Sequence, residues 1–207
     1  LYRKSAKVVT VTESFRSTLA SRGIYSSKLE VVKNGVEVDV FKPGHRDNRL
    51  RKELDLCGSF VVSYIGAHGI SHGLESILGT AERLKQHEDI VFLFVGEGAE
   101  KEKLLAIKRQ RNLNNVVFFP GQPKETMPEF YAASDVCLVP LRRVELFKAF
   151  IPSKMFEIMA CGRPIIGSVM GEAREILSRA ECAILTMPES PEEVAYAVKK
   201  LYDDREL

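Results

Sequence analysis

Lys154 and Glu157 stand three residues apart in Pro152-Ser153-Lys154-Met155-Phe156-Glu157, so on a helix they share one face. Pro152 suits the first turn of such a helix, and Gly162 followed by Pro164 suits its end. A lysine at a helix start sits badly beside the positive end of the dipole unless an anion neutralises it. A carboxylate one turn further on can accept both hydroxyls of a ribose. Lys154 and Glu157 are therefore the candidate catalytic pair, gripping the phosphates and the pentose of a nucleotide, with Pro152 and Ser153 at the binding end of the helix. The competing account is an ordinary surface ion pair between neighbours three apart.

A second candidate is the loop Gly66-Ala67-His68-Gly69-Ile70-Ser71-His72-Gly73, which runs straight into a helical pattern at Leu74. Glycines let backbone amides approach a ligand closely, and a helix start adds partial positive charge. Gly66 and Gly69 would thus face a diphosphate, with His68 and His72 as further hydrogen-bond donors. A tight turn with glycines for geometry alone is the alternative. The loop Gly96-Glu97-Gly98-Ala99-Glu100-Lys101 begins like a dinucleotide fingerprint, but it has Lys101 where the third glycine belongs. No acidic residue follows at the right distance. That argues against a nicotinamide cofactor and leaves Gly96 and Gly98 as shape-determining or ligand-facing glycines. Arg142, Arg143, Lys148, Arg163 and Arg174 surround the Lys154 segment in sequence and would counter a diphosphate if they converged. There is no HExxH motif and no Cys/His cluster, so no metal site is expected. Charge on a leaving group would then fall to Lys, Arg, His and backbone amides.

The elements that must position these residues follow from periodicity. Continuous apolar runs at 60–65, 90–95, 116–119, 136–139, 165–168 and 183–185 read as buried strands. Between them lie helical spacings: Leu74, Ile77, Leu78 and Ala81; Met127, Phe130 and Tyr131 behind Thr126 as N-cap; and Val194, Ala197, Val198 and Leu201 behind Ser190-Pro191-Glu192-Glu193, which combines an N-cap Ser, a Pro at the first helical position and a capping-box Glu. Six such strands alternating with helices imply an α/β fold, a Rossmann-like doubly wound parallel sheet whose ligands bind beyond the carboxyl ends of the strands. Residues 1–33 form a separate piece, with strands at 7–12 and 29–32 and a helix at 13–22 closed by Gly23. Residues 34–51 are polar and turn-rich, as in a linker, and residues 52–207 hold the main domain.

Composition narrows the classes. Hydrophobic residues are 45% and charged residues 28% of 207, the balance of an ordinary globular protein. A net charge of +2 and the absence of Trp give no nucleic-acid signature. No apolar run reaches the roughly 18 to 20 residues of a transmembrane helix. Cys57, Cys137, Cys161 and Cys182 share no short spacing; three of them sit in apolar stretches, so small core residues in a reducing cytosol is the reading. Leu1-Tyr2-Arg3-Lys4 reads as the middle of a longer chain, and the last residues stop inside a charged helical stretch.

At this point the motifs resemble family-4 glycosyltransferases along essentially the whole chain. Val31-Val32-Lys33-Asn34-Gly35-Val36-Glu37 with Phe41-Lys42-Pro43 resembles the family's junction between its two domains. Val95-Gly96-Glu97-Gly98 resembles its "VGDG", and Val117-Phe118-Phe119-Pro120-Gly121 its "VxFxG", which lies near where the family holds the base. Tyr131-Ala132-Ala133-Ser134-Asp135-Val136 and Phe156-Glu157-Ile158-Met159-Ala160-Cys161-Gly162-Arg163-Pro164 resemble two further family motifs. The resemblance implies the C-terminal, donor-binding half of a GT-B fold, with residues 1–33 the remnant of the acceptor domain and Gly121 among the donor-binding residues. It places Glu157 at the ribose as the second Glu of an E-x7-E pair. The first falls at Ala149, and the usual Arg and Lys of the first loop are replaced by Ala67 and His72. A subgroup with similar "GxHGxxHGL" and "PSKMFE" segments makes bacterial surface polysaccharides, and some of its members transfer N-acetyl-fucosamine-type amino sugars.

The function implied is retaining, metal-independent transfer from a nucleotide diphosphate sugar, UDP-linked by preference, to a glycan or lipid-linked acceptor. No cofactor is implied beyond that donor substrate. The acceptor would be held through the N-terminal domain, and the enzyme would be cytoplasmic, at or near the inner face of the plasma membrane through peripheral association. This piece alone is expected to be inactive. Two alternatives stand beside it: a nucleotide-sugar epimerase of the same fold, and a non-catalytic sugar-nucleotide-binding module.

Overall fold

The apolar runs become strands because β-branched and aromatic residues fit a pleated surface buried on both faces. The computed structural model describes residues 2–204; Leu1 and residues 205–207, part of the charged C-terminal stretch, lie outside the described residues. In chain order the elements are β1 (Val8–Thr10), α1 (Glu13–Ser21), β2 (Leu29–Val31), α2 (Arg49–Glu53), β3 (Phe60–Ile65), α3 (Leu74–Arg83), β4 (Ile90–Val95) and α4 (Lys101–Gln110). There follow β5 (Val116–Phe119), α5 (Met127–Ala133), β6 (Val136–Pro140), α6 (Lys154–Ala160), β7 (Ile165–Ser168), α7 (Gly171–Arg179), β8 (Ala183–Thr186) and α8 (Pro191–Asp203).

Strands β3 to β8 make one six-stranded sheet in the order β5-β4-β3-β6-β7-β8, and every pairing in it is parallel. This is the Rossmann-like doubly wound arrangement. Side chains alternate across it. Phe60, Val62 and Tyr64 of β3 join Ile90, Phe92 and Phe94 of β4 in one core with α3, α4 and α8. Val61 and Ile65, with Leu93 and Val95, face the other core, built by α5, α6 and α7. The chain order reverses between β3 and β6, the switch point at which a crevice opens beyond the strand ends.

Two local expectations change. Thr126 does not cap α5: its backbone is already helical and no side-chain cap bond forms. Its hydroxyl instead donates to the Pro123 carbonyl at 2.9 Å within a preceding 3-10 turn. Ser190 does cap α8, accepting from the Glu193 amide, but the Glu193 carboxylate reaches Met187 N rather than closing a capping box. The helices α2, α4 and α7 have weaker sequence signals. In α4 only Leu104 is fully buried, so the apolar stripe is narrow.

The N-terminal piece is a two-stranded parallel sheet of β1 and β2 with α1 packed on it through Val8, Ile24 and Leu29. Thr12 caps α1 by accepting from Phe15 N, and Ser14 N donates to the Glu172 carboxylate of α7 at 2.9 Å. Between the two pieces, Phe41 is buried in the core that contains Tyr131 and Met155. Arg51 of α2 is fully buried. Its guanidinium pairs with Asp135 at 2.5 Å and donates to the carbonyls of Ala133, Leu56 and Ser59. Asp135 also accepts from Arg46 and from Val61 N, so the loop before β6 is bolted to β3 and to α2. Burial works against the Arg51 charge, and Asp135 supports it.

Candidate functional site

A cavity of about 430 Å³ opens beside the β3–β6 switch point. From the turn after β3 come Gly66, Ala67 and His72; from the segment after β5 come Gln122 and Lys124; and from α5 come Met127 and Tyr131. Lys154 and Glu157 of α6, with Phe150, Pro152 and Ser153 just before it, line another side, and Phe41 the remaining wall. A larger groove of about 670 Å³ lies beside Arg163, Ile165, Ala183 and Lys200. That is the amino-terminal end of β7 and β8, away from the ends where doubly wound sheets bind ligands.

The fold thus gathers Gly66, His72, Pro152, Ser153, Lys154 and Glu157 around one volume. Gly66 has φ 138°, and a Cβ there would meet Lys154 Nζ at 2.6 Å, so only glycine leaves the amine its place. Lys154 Nζ lies 3.8 Å from the centroid of the Tyr64 ring. The atom has no exposed surface and no hydrogen-bond partner among the described residues. Burial pulls the amine down to about 7, with the Glu157 charge working the other way. The i, i+3 ion pair does not form. Instead, Glu157 Oε2 accepts from the Tyr131 hydroxyl at 2.8 Å.

His72 Nδ1 lies 3.3 Å from the Pro140 carbonyl, which can only accept, so the proton sits on Nδ1. Burial and then the nearby Lys154 charge hold this imidazole at about 4. At neutral pH its other nitrogen is therefore an acceptor, suited to a hydroxyl or to the lysine rather than to a phosphate oxygen. His68, Gly69, Gly96, Gly98 and Gly121 lie outside the lining. The His68 ring is fully buried between Phe94 and Phe118, and burial holds it at about 4. Gly96 and Gly98 serve contact between loops. A Cβ on Gly96 would strike the Gly66 carbonyl at 2.0 Å, and one on Gly98 would strike the His68 backbone at 2.6 Å. The Gly121 amide donates to Glu97 at 3.3 Å.

The five basic residues flanking the Lys154 segment do not line the cavity. Arg142 pairs with Glu189 and Lys148 with Glu145, Arg163 reaches the Gly44 carbonyl, and Arg174 the Thr186 carbonyl. Among the described residues, no group of three or more His, Cys, Asp or Glu is placed to hold a metal ion. Tyr131, Tyr64, Phe41 and Lys124 enter the site without having been singled out for it. Tyr131 carried one usable signal: a tyrosine on an apolar helix face needs a partner for its hydroxyl.

A family model described as glycosyl transferases group 1 matches residues 59–204. The chain belongs to the group 1 glycosyltransferases. It is 31% identical over 158 residues to WcaI of Escherichia coli K12, named as a glycosyl transferase of colanic acid biosynthesis, covering 75% of this chain and 38% of that protein. It is 27% identical to the 2-deoxystreptamine glucosyltransferase of Streptomyces kanamyceticus, covering 98% of this chain and 52% of that one. The chain therefore spans about half or less of the length of these relatives.

Among solved structures, HepE of Anabaena in complex with UDP and glucose superposes with a TM-score of 0.80 at 20% identity, covering 99% of this chain and 55% of HepE. The C-terminal domain of the group 1 glycosyltransferase LpcC of Francisella tularensis gives 0.66 at 22%, covering 83% of this chain and 89% of that domain. These likenesses give this glycosyltransferase chain the Rossmann-like fold of GT-B enzymes. Among its described residues no helix is long and apolar enough to cross a membrane.

Proposed function

We propose that this chain is the donor-binding half of a retaining, metal-independent glycosyltransferase. It would move a sugar from a nucleotide diphosphate, UDP-linked, to a glycan or lipid-linked acceptor in surface polysaccharide synthesis. The observation that carries this is Lys154, whose amine is buried and unpartnered and which lines, with Glu157, the cavity at the sheet's switch point. Breaking the sugar–phosphate bond places new negative charge on the diphosphate, and a cation fixed in a low-dielectric site stabilises that charge more than water does. Lys154 would supply the cation. Glu157, held from one side by Tyr131, would accept from the pentose hydroxyls.

The UDP complexes of HepE and the names of WcaI and of TuaH from Bacillus subtilis, a teichuronic acid biosynthesis glycosyltransferase by name, support the nucleotide and the polysaccharide setting. The acceptor would bind to chain outside these 207 residues, and no cofactor beyond the donor substrate is invoked. The finer assignment to N-acetyl-fucosamine-type amino-sugar donors rests on the "GxHGxxHGL"-like and "PSKMFE" segments.

Calorimetry on the full-length protein tests the site. Glu157→Ala should weaken UDP binding by about 1.5–3 kcal/mol, the contribution of a charge-assisted hydrogen bond. Lys154→Ala should weaken UDP far more than uridine. An unchanged UDP affinity in the first variant, or equal losses for both ligands in the second, would remove the assignment.

A further inference from the structure

We propose that Tyr131 is a positioning residue for the donor's pentose, acting through Glu157; this rests on Glu157 as the pentose ligand. Tyr131 is 2% exposed, yet it forms part of the cavity wall. Its hydroxyl donates to Glu157 Oε2 at 2.8 Å, the one hydrogen bond that the carboxylate makes among the described residues. The ring packs against Phe41, with centroids 6.2 Å apart and planes tilted by 54°.

Burial, and after it the adjacent Glu157 charge, raises the phenol well above the ordinary tyrosine range, so it remains a donor at every pH the protein would meet. The terminal torsion of a glutamate is broad, and an unanchored carboxylate samples many orientations in front of a ligand. A carboxylate offers about four lone-pair sites. The Tyr131 bond uses one, restrains the rotation of the group, and leaves both oxygens able to accept from two neighbouring hydroxyls. Holding an acceptor in place beforehand lowers the ordering cost of binding. The phenol thereby acts on the pentose diol and on no other part of the donor.

The test compares UDP with 2′,3′-dideoxy-UDP on the full-length protein by calorimetry. Wild type should prefer UDP by about ten-fold or more, and Glu157→Ala should bring the ratio close to one. Tyr131→Phe should lower the ratio to about three-fold or less while leaving the dideoxy affinity within about two-fold. A wild-type ratio near one overturns the Glu157 reading and this inference together. A full preference retained in Tyr131→Phe overturns the inference alone, as does an equal loss for both ligands, which would mark a purely structural tyrosine. Both affinities are read on one sample, so a reduced folded fraction cancels from the ratio. Should Tyr131→Phe not fold at all, the ratio is read for Phe41→Leu, which keeps the hydroxyl and slackens the ring. A partial fall is expected there, and an unchanged ratio overturns the proposal.

Discussion

With no hydrogen-bond partner and with burial holding it at about 7, the Lys154 amine exchanges its proton near neutral pH. The groups around it are the Tyr64 ring, His72, His68, Glu157 and Cys137. Both histidines, held at about 4, stay neutral there. A bound diphosphate would favour the charged amine, so above about 7 binding takes up a proton. Affinity for a nucleotide sugar should then fall with rising pH, by up to about ten-fold per pH unit, and Lys154→Met should lack that slope.

Stability of the empty protein has the opposite sign. Between about 7 and the ordinary lysine value of 10.5 the unfolded chain binds the extra proton, so stability rises with pH in that window, again only with Lys154 present. Denaturation midpoints at several pH values check this. Lys154 and Glu157 were legible in the sequence because helical spacing alone puts them together. Tyr131 was not, since its bond to Glu157 spans 26 residues and two helices.

At the scale of the elements, the turns after β3 and β4 press against each other through glycine backbone. Gly96→Ala puts a methyl group into the Gly66 carbonyl at a φ of 148°, which no side-chain rotation relieves. It should destabilise the protein by about 2 kcal/mol or more, seen as a lower urea midpoint. The six strands of the main sheet were legible almost to the residue, because runs buried on both faces carry an unbroken apolar signal, whereas the strand expected at 7–12 is only Val8–Thr10, half-exposed. The glycines were legible as turns. Whether each one met a ligand or another loop was not, because that depends on a partner supplied by a distant part of the sheet. The same holds for the arginines around α6, whose carbonyl and carboxylate partners lie on other elements.

For the molecule as a whole, α/β alternation sufficed to predict the doubly wound sheet, while the buried Arg51–Asp135 pair had no local pattern to betray it. Arg51→Met leaves the Asp135 carboxylate in a mostly buried site with only Arg46 and the Val61 amide to offset it. A loss of about 3 kcal/mol, on the order of 10 °C in melting temperature, is expected, and a scanning calorimeter reads it.

The ladder between β3 and β6 is the shortest in the sheet, two residue pairs against six between β3 and β4. The cavity sits across that join, with Gly66 and His72 on one side and Lys154 and Glu157 on the other. A ligand held by both sides acts as a rivet through the thinnest seam, so either half must release it before the two can part. Amides of β3 and β6 should therefore slow their hydrogen exchange in step when UDP is added, while those at the far edge in β8 change less.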